Sequence, residues 1–329
     1  PSNKTQIKTV EWRFYKADNR TVIELNPSGT VPSIQQVKEI TRRLTEFLIQ
    51  TTYREWNLLE STIEKNIIIL KYGENPMRYS VSELFEIADD DYCINYSPIK
   101  LYNDIRFDIA SEACHQIVIA PSGAGKSLYL AALAGMLIKQ GHSVSLIDAK
   151  RTSLGATFEN LGIPVARTAE EIVLLLEQMV FEMQDTYKRY FSFSSVDFST
   201  TYSDFSLPAH YLIFDEVLAA LESGTPSQQK EMVRLLKILA LKSRASGRGL
   251  LILASQKLLA SDLPRAVTEQ CQTRIILGSE SSISEETFYS VMGKEKRDLL
   301  AEYRGGVGKG YILTPRTNGI KYFETPYFD

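Results

Sequence analysis

The chain is poor in the residues that build disulfide frameworks and zinc sites. It contains three cysteines and three histidines in 329 residues. Cys93, Cys114 and Cys271 are widely spaced, and none belongs to a CxxC pair. An odd number of isolated cysteines is typical of a reducing compartment. The composition therefore excludes a disulfide-stapled secreted domain and argues against a cysteine-based zinc site.

Long hydrophobic runs and an excess of basic residues are also missing. No apolar stretch approaches the roughly 18 residues of a membrane span, and no signal peptide opens the chain. The formal net charge is −3, so the chain has no general positive field for nucleic acid. Any contact with DNA must come from local loops, or from subunits that point their loops at a common axis. Because the chain begins with Pro1, either an initiator Met was trimmed or the chain is part of a longer protein.

One segment carries a motif for phosphate binding. Residues 115–138 read HQIVIAPSGAGKSLYLAALAGMLI, which predicts a buried strand, a loop of small residues and an apolar helix. Such a loop points successive backbone N–H groups inward, and the helix N-terminus adds positive potential. Ala120 occupies the first Gly position of GxxxxGK[ST]. We expect the nucleotide to be held by Pro121, Ser122, Gly123, Ala124, Gly125, Lys126, Ser127 and Leu128.

A second motif supplies acidic residues. The apolar strand HYLIFD at His210–Asp215 ends in a carboxylate, and Glu216 follows it. In a nucleotide site Lys126 reaches the β- and γ-phosphates, while Ser127 and Asp215 bind the metal ion. Glu216 is then placed to polarise the attacking water. The pair of motifs predicts ATP and Mg²⁺ as ligands, and the adjacent glutamate favours hydrolysis over nucleotide sensing.

Three further groups are candidates for the same site. Gln256, which ends GLLILASQ, either contacts the γ-phosphate and the attacking water or is a polar strand cap. Phosphoryl transfer also uses an arginine, often from a neighbouring subunit and worth roughly 10³–10⁵ in rate. Arg244 and Arg274 are the candidates, although each could equally be a solvated surface residue, and Arg248 ranks lower. Asp148 and Lys150 end another strand, as a local ion pair or as part of the nucleotide edge.

The pattern along the chain predicts two parts. Residues 1–107 lack a chemical motif, and strands at Thr21–Leu25 and Ile67–Leu70 with an amphipathic helix at residues 33–51 indicate a small α+β module. This module either completes the ATPase fold or acts as an adaptor. Residues 108–329 alternate strands with helices, which is typical of an α/β domain with a mostly parallel sheet flanked by helices. The predicted elements are strands at Ser143–Asp148, His210–Asp215, Gly249–Ser255 and Thr273–Leu277, and helices at Gln228–Ser246 and from Thr168 to about Tyr190. The second of these helices is expected to start at a capping box formed by Thr168 and Glu171.

The order of these motifs resembles the motor domain of the FtsK/SpoIIIE family of DNA-translocating ATPases, within the HerA–FtsK group. The resemblance covers roughly residues 108–313 and includes LIDAK at 146–150, FEMQDTYKRY at 181–190, SRASGRGLLILASQ at 243–256 and GKGYIL at 308–313. It implies a RecA-like P-loop NTPase that assembles as a ring, commonly a hexamer, around DNA. It also implies that Gln256 is the γ-phosphate sensor. The family usually has Gly at position 120, Thr at position 122 and ATQRP where this chain has ASQKL.

Within that family the chain looks most similar to coupling ATPases of Gram-positive conjugative elements. This implies a DNA motor for conjugative transfer or segregation, placed in the cytoplasm at the membrane face, with membrane-channel or relaxosome proteins as candidate partners. Two loops are expected to line the ring's channel and contact single- or double-stranded DNA, Ser192–Leu207 and Lys257–Val267. A type VII secretion-like protein-export ATPase is the main alternative. A nucleotide-binding scaffold that no longer hydrolyses ATP is the third.

Overall fold

The computed structural model of the chain divides into two units. One contains the chain up to Arg78, and the other contains Tyr79–Gly293 and Gly305–Asp329. The residues that the structure describes are 10–17, 20–27, 33–50, 57–64, 67–73, 78–82, 94–103, 105–110, 114–192, 196–197, 199–278, 282–294, 306–317 and 319–328.

The first unit is a four-stranded antiparallel sheet with one helix. Its strands, in the spatial order β1-β2-β4-β3, are β1 (Val10–Ala17), β2 (Arg20–Pro27), β3 (Asn57–Glu64) and β4 (Ile67–Gly73). Helix α1 (Ile34–Gln50) places Val37 in a small apolar core with Ile23 and Leu70. The predicted α+β character and the strands at Thr21–Leu25 and Ile67–Leu70 are confirmed.

The second unit is built on a sheet of eight described strands in the order β14-β13-β12-β7-β11-β10-β8-β9. Strands β7 to β12 pair in parallel, and β13 and β14 add an antiparallel extension. The carboxyl ends of β7, β8, β10 and β11 therefore meet at one edge, where open α/β sheets bind ligands. The strands are β7 (Gln116–Ile119), β8 (Ser143–Ile147), β9 (Val165–Ala166), β10 (His210–Phe214), β11 (Arg248–Ser255), β12 (Thr273–Leu277), β13 (Lys309–Leu313) and β14 (Lys321–Glu324).

Helices and a hairpin cover this sheet. Apart from Ser143 and His210, which begin β8 and β10, the residues of the central strands β7, β8 and β10 are buried, as expected for a parallel sheet with both faces covered. The hairpin of β5 (Ile99–Tyr102) and β6 (Ile105–Phe107) adds Leu101 and Phe107 to the same core. The helices are α2 (Lys126–Lys139), α3 (Ser153–Asn160), α4 (Ala169–Tyr190), α5 (Val217–Glu222), α6 (Pro226–Ser246), α7 (Arg265–Thr268) and α8 (Glu285–Met292), with a 3₁₀ turn at Tyr202–Phe205.

The two long helices start at capping boxes. Thr168 and Glu171 exchange the reciprocal hydrogen bonds that satisfy the first N–H groups of α4, as the sequence predicts. Thr225 and Gln228 do the same for α6, which therefore begins at Pro226 rather than at the predicted Gln228. No helix in the described part of the chain combines the length and hydropathy that crossing a bilayer requires.

The long segment before β10 is fixed to the body of the second unit. Tyr202 is buried, and its hydroxyl donates to the carbonyl of Ile109 at 2.7 Å. Phe205 packs against Tyr190 and Phe191. The aromatic residues of Ser192–Leu207 could either anchor this loop to the body or stack on nucleic-acid bases, and Tyr202 and Phe205 anchor it. Phe193 and Phe198 lie outside the described residues.

Candidate nucleotide site

The loop after β7 has the backbone of a phosphate cradle. The N–H of Ala120 donates to the carbonyl of Ser255 at 3.0 Å, so Ala120 continues the strand and its buried methyl group is accommodated there. Gly123 and Gly125 have φ angles of 78° and 98°, the left-handed conformations that glycine adopts at low cost. A Cβ atom on Gly123 would meet no atom within 4 Å. The loop therefore leaves open space next to exposed Ser122 and Gly123, and its residues fit a bound phosphate.

A second segment, residues 306–308, packs on this loop. The N–H of Gly308 donates to the carbonyl of Ala124 at 2.9 Å. A Cβ atom on Gly125 would lie 2.8 Å from the Gly308 nitrogen, so the two backbones approach as closely as glycine allows. This contact was not predicted from the sequence. Its only signal was the glycine-rich sequence GVGKG at residues 306–310, which runs into the first residues of β13.

Lys126 and the two predicted acids form one cluster. The Lys126 ammonium donates to the backbone carbonyl of Asp215, lies 3.3 Å from Asp215 Oδ1 and lies 3.6 Å from Glu216 Oε2. Asp215 and Glu216 are 3% and 5% exposed. Buried charges of this kind need partners, because burial without compensation is costly. The acids therefore compensate the charge of the same lysine that the motif assigns to the phosphates.

Asp215 has the character of a metal ligand. Its Oδ2 atom accepts a hydrogen bond from Thr152 Oγ1 at 3.0 Å. Its Oδ1 atom is buried and accepts no hydrogen bond of good geometry, although Lys126 is near. A buried carboxylate oxygen without a donor fits a hard cation such as Mg²⁺. Ser127, which is exposed in the first turn of α2, offers a hydroxyl.

The described residues contain no group of three or more His, Cys, Asp and Glu side chains placed to hold a metal ion. This fits Mg²⁺ bound with a nucleotide, because Mg²⁺ commonly takes one or two protein ligands and completes its shell with phosphates and water.

Glu216 is held on both carboxylate oxygens. Ser255 Oγ donates to Oε1, and Lys150 Nζ donates to Oε2 at 3.1 Å. The backbone N–H of Gln256 lies 3.3 Å and 3.2 Å from the two oxygens. Gln256 therefore contacts the candidate base through its backbone, while its side chain is exposed.

Asp148 and Lys150 do not form the local ion pair that was one interpretation of the sequence. Asp148 is fully buried and accepts a hydrogen bond from the N–H of Thr152 at 2.7 Å, and burial raises its pKa above the usual range. Lys150 turns instead to Glu216. Gly155 leaves room for the Asp148 carboxylate, which a Cβ atom at that position would overlap. Thr152 is a site residue that the sequence analysis missed, and its signal was an N-cap threonine just before a short helix.

The candidate arginines lie away from these acids. The Arg274 guanidinium donates to the carbonyls of Cys271, Val291 and Thr268 at 3.0, 3.0 and 3.3 Å. These bonds fix Arg274 near the amino end of the sheet, opposite the phosphate loop. Arg244 is exposed in the last turn of α6.

The parallel sheet, the glycine loop at its carboxyl edge and the paired acids define a P-loop ATPase fold of the predicted class. No protein-family model matches the chain. In sequence it is similar to the FtsK domain-containing protein YdcQ of Bacillus subtilis (strain 168), with 22% identity over 260 residues, which are 78% of this chain and 52% of YdcQ. The chain therefore spans about half the length of the curated relative it matches.

In fold, the chain is similar to the pCW3 conjugation coupling protein TcpA in its monomer form with ATPγS. That match has a TM-score of 0.62 and 18% identity and covers 98% of this chain and 90% of TcpA. The cytoplasmic domains of the Thermomonospora curvata type VII secretion ATPase EccC and of EssC match with TM-scores of 0.55 and 0.56. Their identities are 19% and 15%, over 76% and 96% of this chain and 32% and 58% of theirs. These findings confirm the predicted resemblance to FtsK/HerA-type ATPases.

The contact between Gly125 and Gly308 generates a prediction. Gly125→Ala places a methyl group 2.8 Å from a backbone nitrogen at a positive φ, so it should displace the phosphate loop. We expect affinity for a fluorescent ATP analogue to fall at least about tenfold, a loss of about 1.4 kcal/mol of binding energy. Gly293→Ala is the matched control, since Gly293 also has a positive φ but nothing within 4 Å of a Cβ atom. Equal affinities for the two variants would contradict the steric argument.

Proposed function

We propose that the chain is an ATP-hydrolysing motor that moves DNA through a ring of its own copies, as in conjugative transfer or segregation. The observation that carries the ATPase part is the single buried cluster of Lys126, Asp215 and Glu216 beside the phosphate loop. The motif order and the likeness to a conjugation coupling protein support DNA as the substrate. We propose residues 108–329, together with the β5–β6 hairpin that packs in their core, as the motor, which works at the cytoplasmic face of the membrane, and the first unit, up to Arg78, as an accessory module.

The proposed reaction uses the cluster in a fixed order. When phosphates enter the loop, the Lys126 ammonium exchanges its contacts with the two acids for the β- and γ-phosphates. Asp215 and Ser127 would hold Mg²⁺, which supplies charge neutralisation at the phosphates. Glu216 then accepts a proton from the attacking water, while Ser255 and the Gln256 N–H hold the carboxylate in place. We propose that the exposed side chain of Gln256 turns toward the γ-phosphate.

The base is connected directly to the loop proposed to contact DNA. The Ser255 hydroxyl touches Glu216 Oε1 and lies 2.8 Å from the carbonyl of Lys257. It can donate to only one of them at a time. Buried Leu258, Leu263 and Val267 anchor the loop, while Lys257 and Arg265 are exposed. A change at Glu216 therefore alters a contact of the first residue of this loop.

The two loops proposed to contact DNA join the sheet at opposite ends. Ser192–Leu207 leads into the amino end of β10, whereas Lys257–Val267 follows the carboxyl end of the parallel strand β11. Because its cations are exposed and it touches the nucleotide edge, we assign the main DNA contact to Lys257–Val267. A protein-export ATPase remains the second candidate, supported by the likeness to EccC and EssC.

The ATPase proposal predicts different defects for two variants. Lys126→Ala removes the phosphate-binding charge, so fluorescent ATP should bind weakly. Glu216→Gln keeps the shape but loses the base, so ATP should bind with parental affinity and hydrolysis should fall by about 10²–10⁴-fold. Equilibrium binding and steady-state phosphate release measure both. Hydrolysis at the parental rate by Glu216→Gln would remove this residue from the mechanism.

The DNA proposal predicts stimulation of the ATPase by DNA through Lys257 and Arg265. In a hexamer these two cations per subunit form a ring of about twelve, so log affinity should fall linearly with log salt concentration. The double variant Lys257→Ala, Arg265→Ala should lose this stimulation and flatten the salt slope, while basal hydrolysis is retained. The Arg265–Glu269 ion pair is exposed and worth at most about 1 kcal/mol, so Arg265 can still exchange Glu269 for a DNA phosphate.

Unchanged DNA affinity in the double variant would show that this loop is not the DNA contact. A parental ATPase that DNA does not stimulate would favour the protein-export alternative.

The ring proposal predicts that Arg244 completes the site of a neighbouring subunit. Arg244→Ala should reduce hydrolysis by about 10³-fold or more. Mixing it with Glu216→Gln protein should partly restore activity, because some interfaces then carry both intact residues. Arg274→Ala should mainly destabilise the fold, since three backbone carbonyls lose their donor. No recovery in mixed rings that still assemble would exclude Arg244 as the trans-acting residue.

A further inference from the structure

The segment Asp148–Thr152 lies between β8 and α3 and touches both acids of the nucleotide site. Lys150 donates to Glu216 Oε2 at 3.1 Å, and Thr152 Oγ1 donates to Asp215 Oδ2 at 3.0 Å. Neither role follows from the phosphate-binding motif or from the acidic strand. The segment therefore supplies one hydrogen-bond donor to each acid from a third strand of the sheet.

Buried contacts hold this segment in place. The Asp148 carboxylate is fully buried and accepts the N–H of Thr152 at 2.7 Å, which closes the turn around Lys150. The N–H of Arg151 donates to the carbonyl of Asp148, and the N–H of Asp148 donates to the carbonyl of Ala166 in β9. Gly155 leaves the space that the Asp148 carboxylate fills. A turn fixed in this way presents the Lys150 and Thr152 side chains in one defined geometry.

We propose that two side chains of this turn position the acids of the ATPase: Lys150 orients Glu216, and Thr152 orients Asp215. This inference rests on the proposed ATP hydrolysis and adds residues to the same site. Lys150 and Thr152 act through the acids rather than on the substrate, so they are positioning residues.

The role of Lys150 follows from what happens to Lys126. Both ammonium groups lie on the same oxygen, Glu216 Oε2, at 3.1 and 3.6 Å. When Lys126 moves to the phosphates, Lys150 becomes the cation that stays on the base. Ser255 then holds Oε1 and Lys150 holds Oε2, while the Gln256 N–H lies between the two oxygens and contacts both. With its side chain 41% exposed, Lys150 is reachable from solvent, so its substitution need not disrupt the core.

Thr152 acts similarly on the second acid. Its hydroxyl occupies Asp215 Oδ2 and leaves Oδ1 as the buried oxygen without a hydrogen bond. The orientation of the carboxylate is therefore set before any cation arrives. Removing a residue that hydrogen-bonds a metal ligand typically lowers metal affinity or activity by about 10–100-fold.

The first test compares substitutions at Lys150 in the whole chain. Lys150→Gln should lower kcat by about 10–100-fold, while the affinity for fluorescent ATPγS stays within about twofold of the parent. Lys150→Arg should recover part of kcat because it restores a cationic donor. Arg151→Gln is the matched control, an exposed neighbour whose loss removes the same charge without touching either acid. Weaker nucleotide binding at unchanged kcat would overturn the proposal and make Lys150 a nucleotide ligand. An equal loss of kcat in Arg151→Gln would also overturn it, because the effect of Lys150 would then come from its charge alone.

A double-variant cycle asks whether Lys150 works through Glu216. In a Glu216→Gln background, Lys150→Gln should lower the residual rate by less than about twofold, because the base that it orients is already gone. A full additional loss would show that Lys150 acts elsewhere, and would overturn the proposal. If the parent hydrolyses ATP and Glu216→Gln loses most of this activity, the ATPase part of the proposed function holds whatever the Lys150 variants show.

Thr152 provides a second measurement that does not depend on turnover. Thr152→Val should raise the Mg²⁺ concentration needed for half-maximal binding of fluorescent ATPγS by about tenfold, whereas Thr152→Ser, which keeps the hydroxyl, should match the parent. Identical Mg²⁺ requirements for valine and serine would contradict the assigned role of the hydroxyl. This comparison remains decisive should Lys150→Gln fail to fold.

Discussion

The burial of two adjacent carboxylates at the end of one strand is the constraint on which the nucleotide site depends. Asp215 and Glu216 are almost completely inaccessible to water, and a buried anion is tolerated only when cations and hydrogen-bond donors surround it. Lys126 arrives from the phosphate loop, Lys150 and Thr152 arrive from the turn after β8, and Ser255 with Gln256 arrive from the end of β11. Three neighbouring segments of the sheet edge thus converge on one pair of acids.

This convergence explains how a local binding event can reach distant parts of the chain. Phosphates that attract Lys126 remove a cation from both acids at once. The remaining hydrogen-bond donors must then stabilise the two buried negative charges. The Ser255 hydroxyl lies between Glu216 and the carbonyl of Lys257, so a change at the base reaches the following loop through one hydrogen bond. On the other side, Gly308 ties the phosphate loop to the antiparallel strands. In the proposed ATPase, nucleotide binding would therefore be coupled to both flanks of the site by short-range contacts.

Sequence patterns predicted the elements whose signals are local. The glycine loop, the strand that ends at Asp215 and the Thr168 capping box each occupy fewer than about ten consecutive residues, and the structure has them where the patterns placed them. The partners of the acids could not be predicted in the same way. Lys150 and Asp148 are two residues apart, and the pattern alone allowed a pair between them. Only the pairing of β8 beside β10 brings Lys150 to Glu216. Thr152 and Gly308 were missed because their contacts join segments that are remote in sequence.

A crystal structure of the chain with Mg²⁺ and ATPγS tests the exchange of Lys126 most directly. In that complex Lys126 Nζ should contact the β- and γ-phosphates and should no longer contact Asp215 or Glu216. Lys150 should stay within hydrogen-bonding distance of Glu216, about 3 Å, and Thr152 should still donate to Asp215. A bound nucleotide with Lys126 still in contact with the two acids, or with Lys150 moved from Glu216 to the γ-phosphate, would contradict the proposed mechanism.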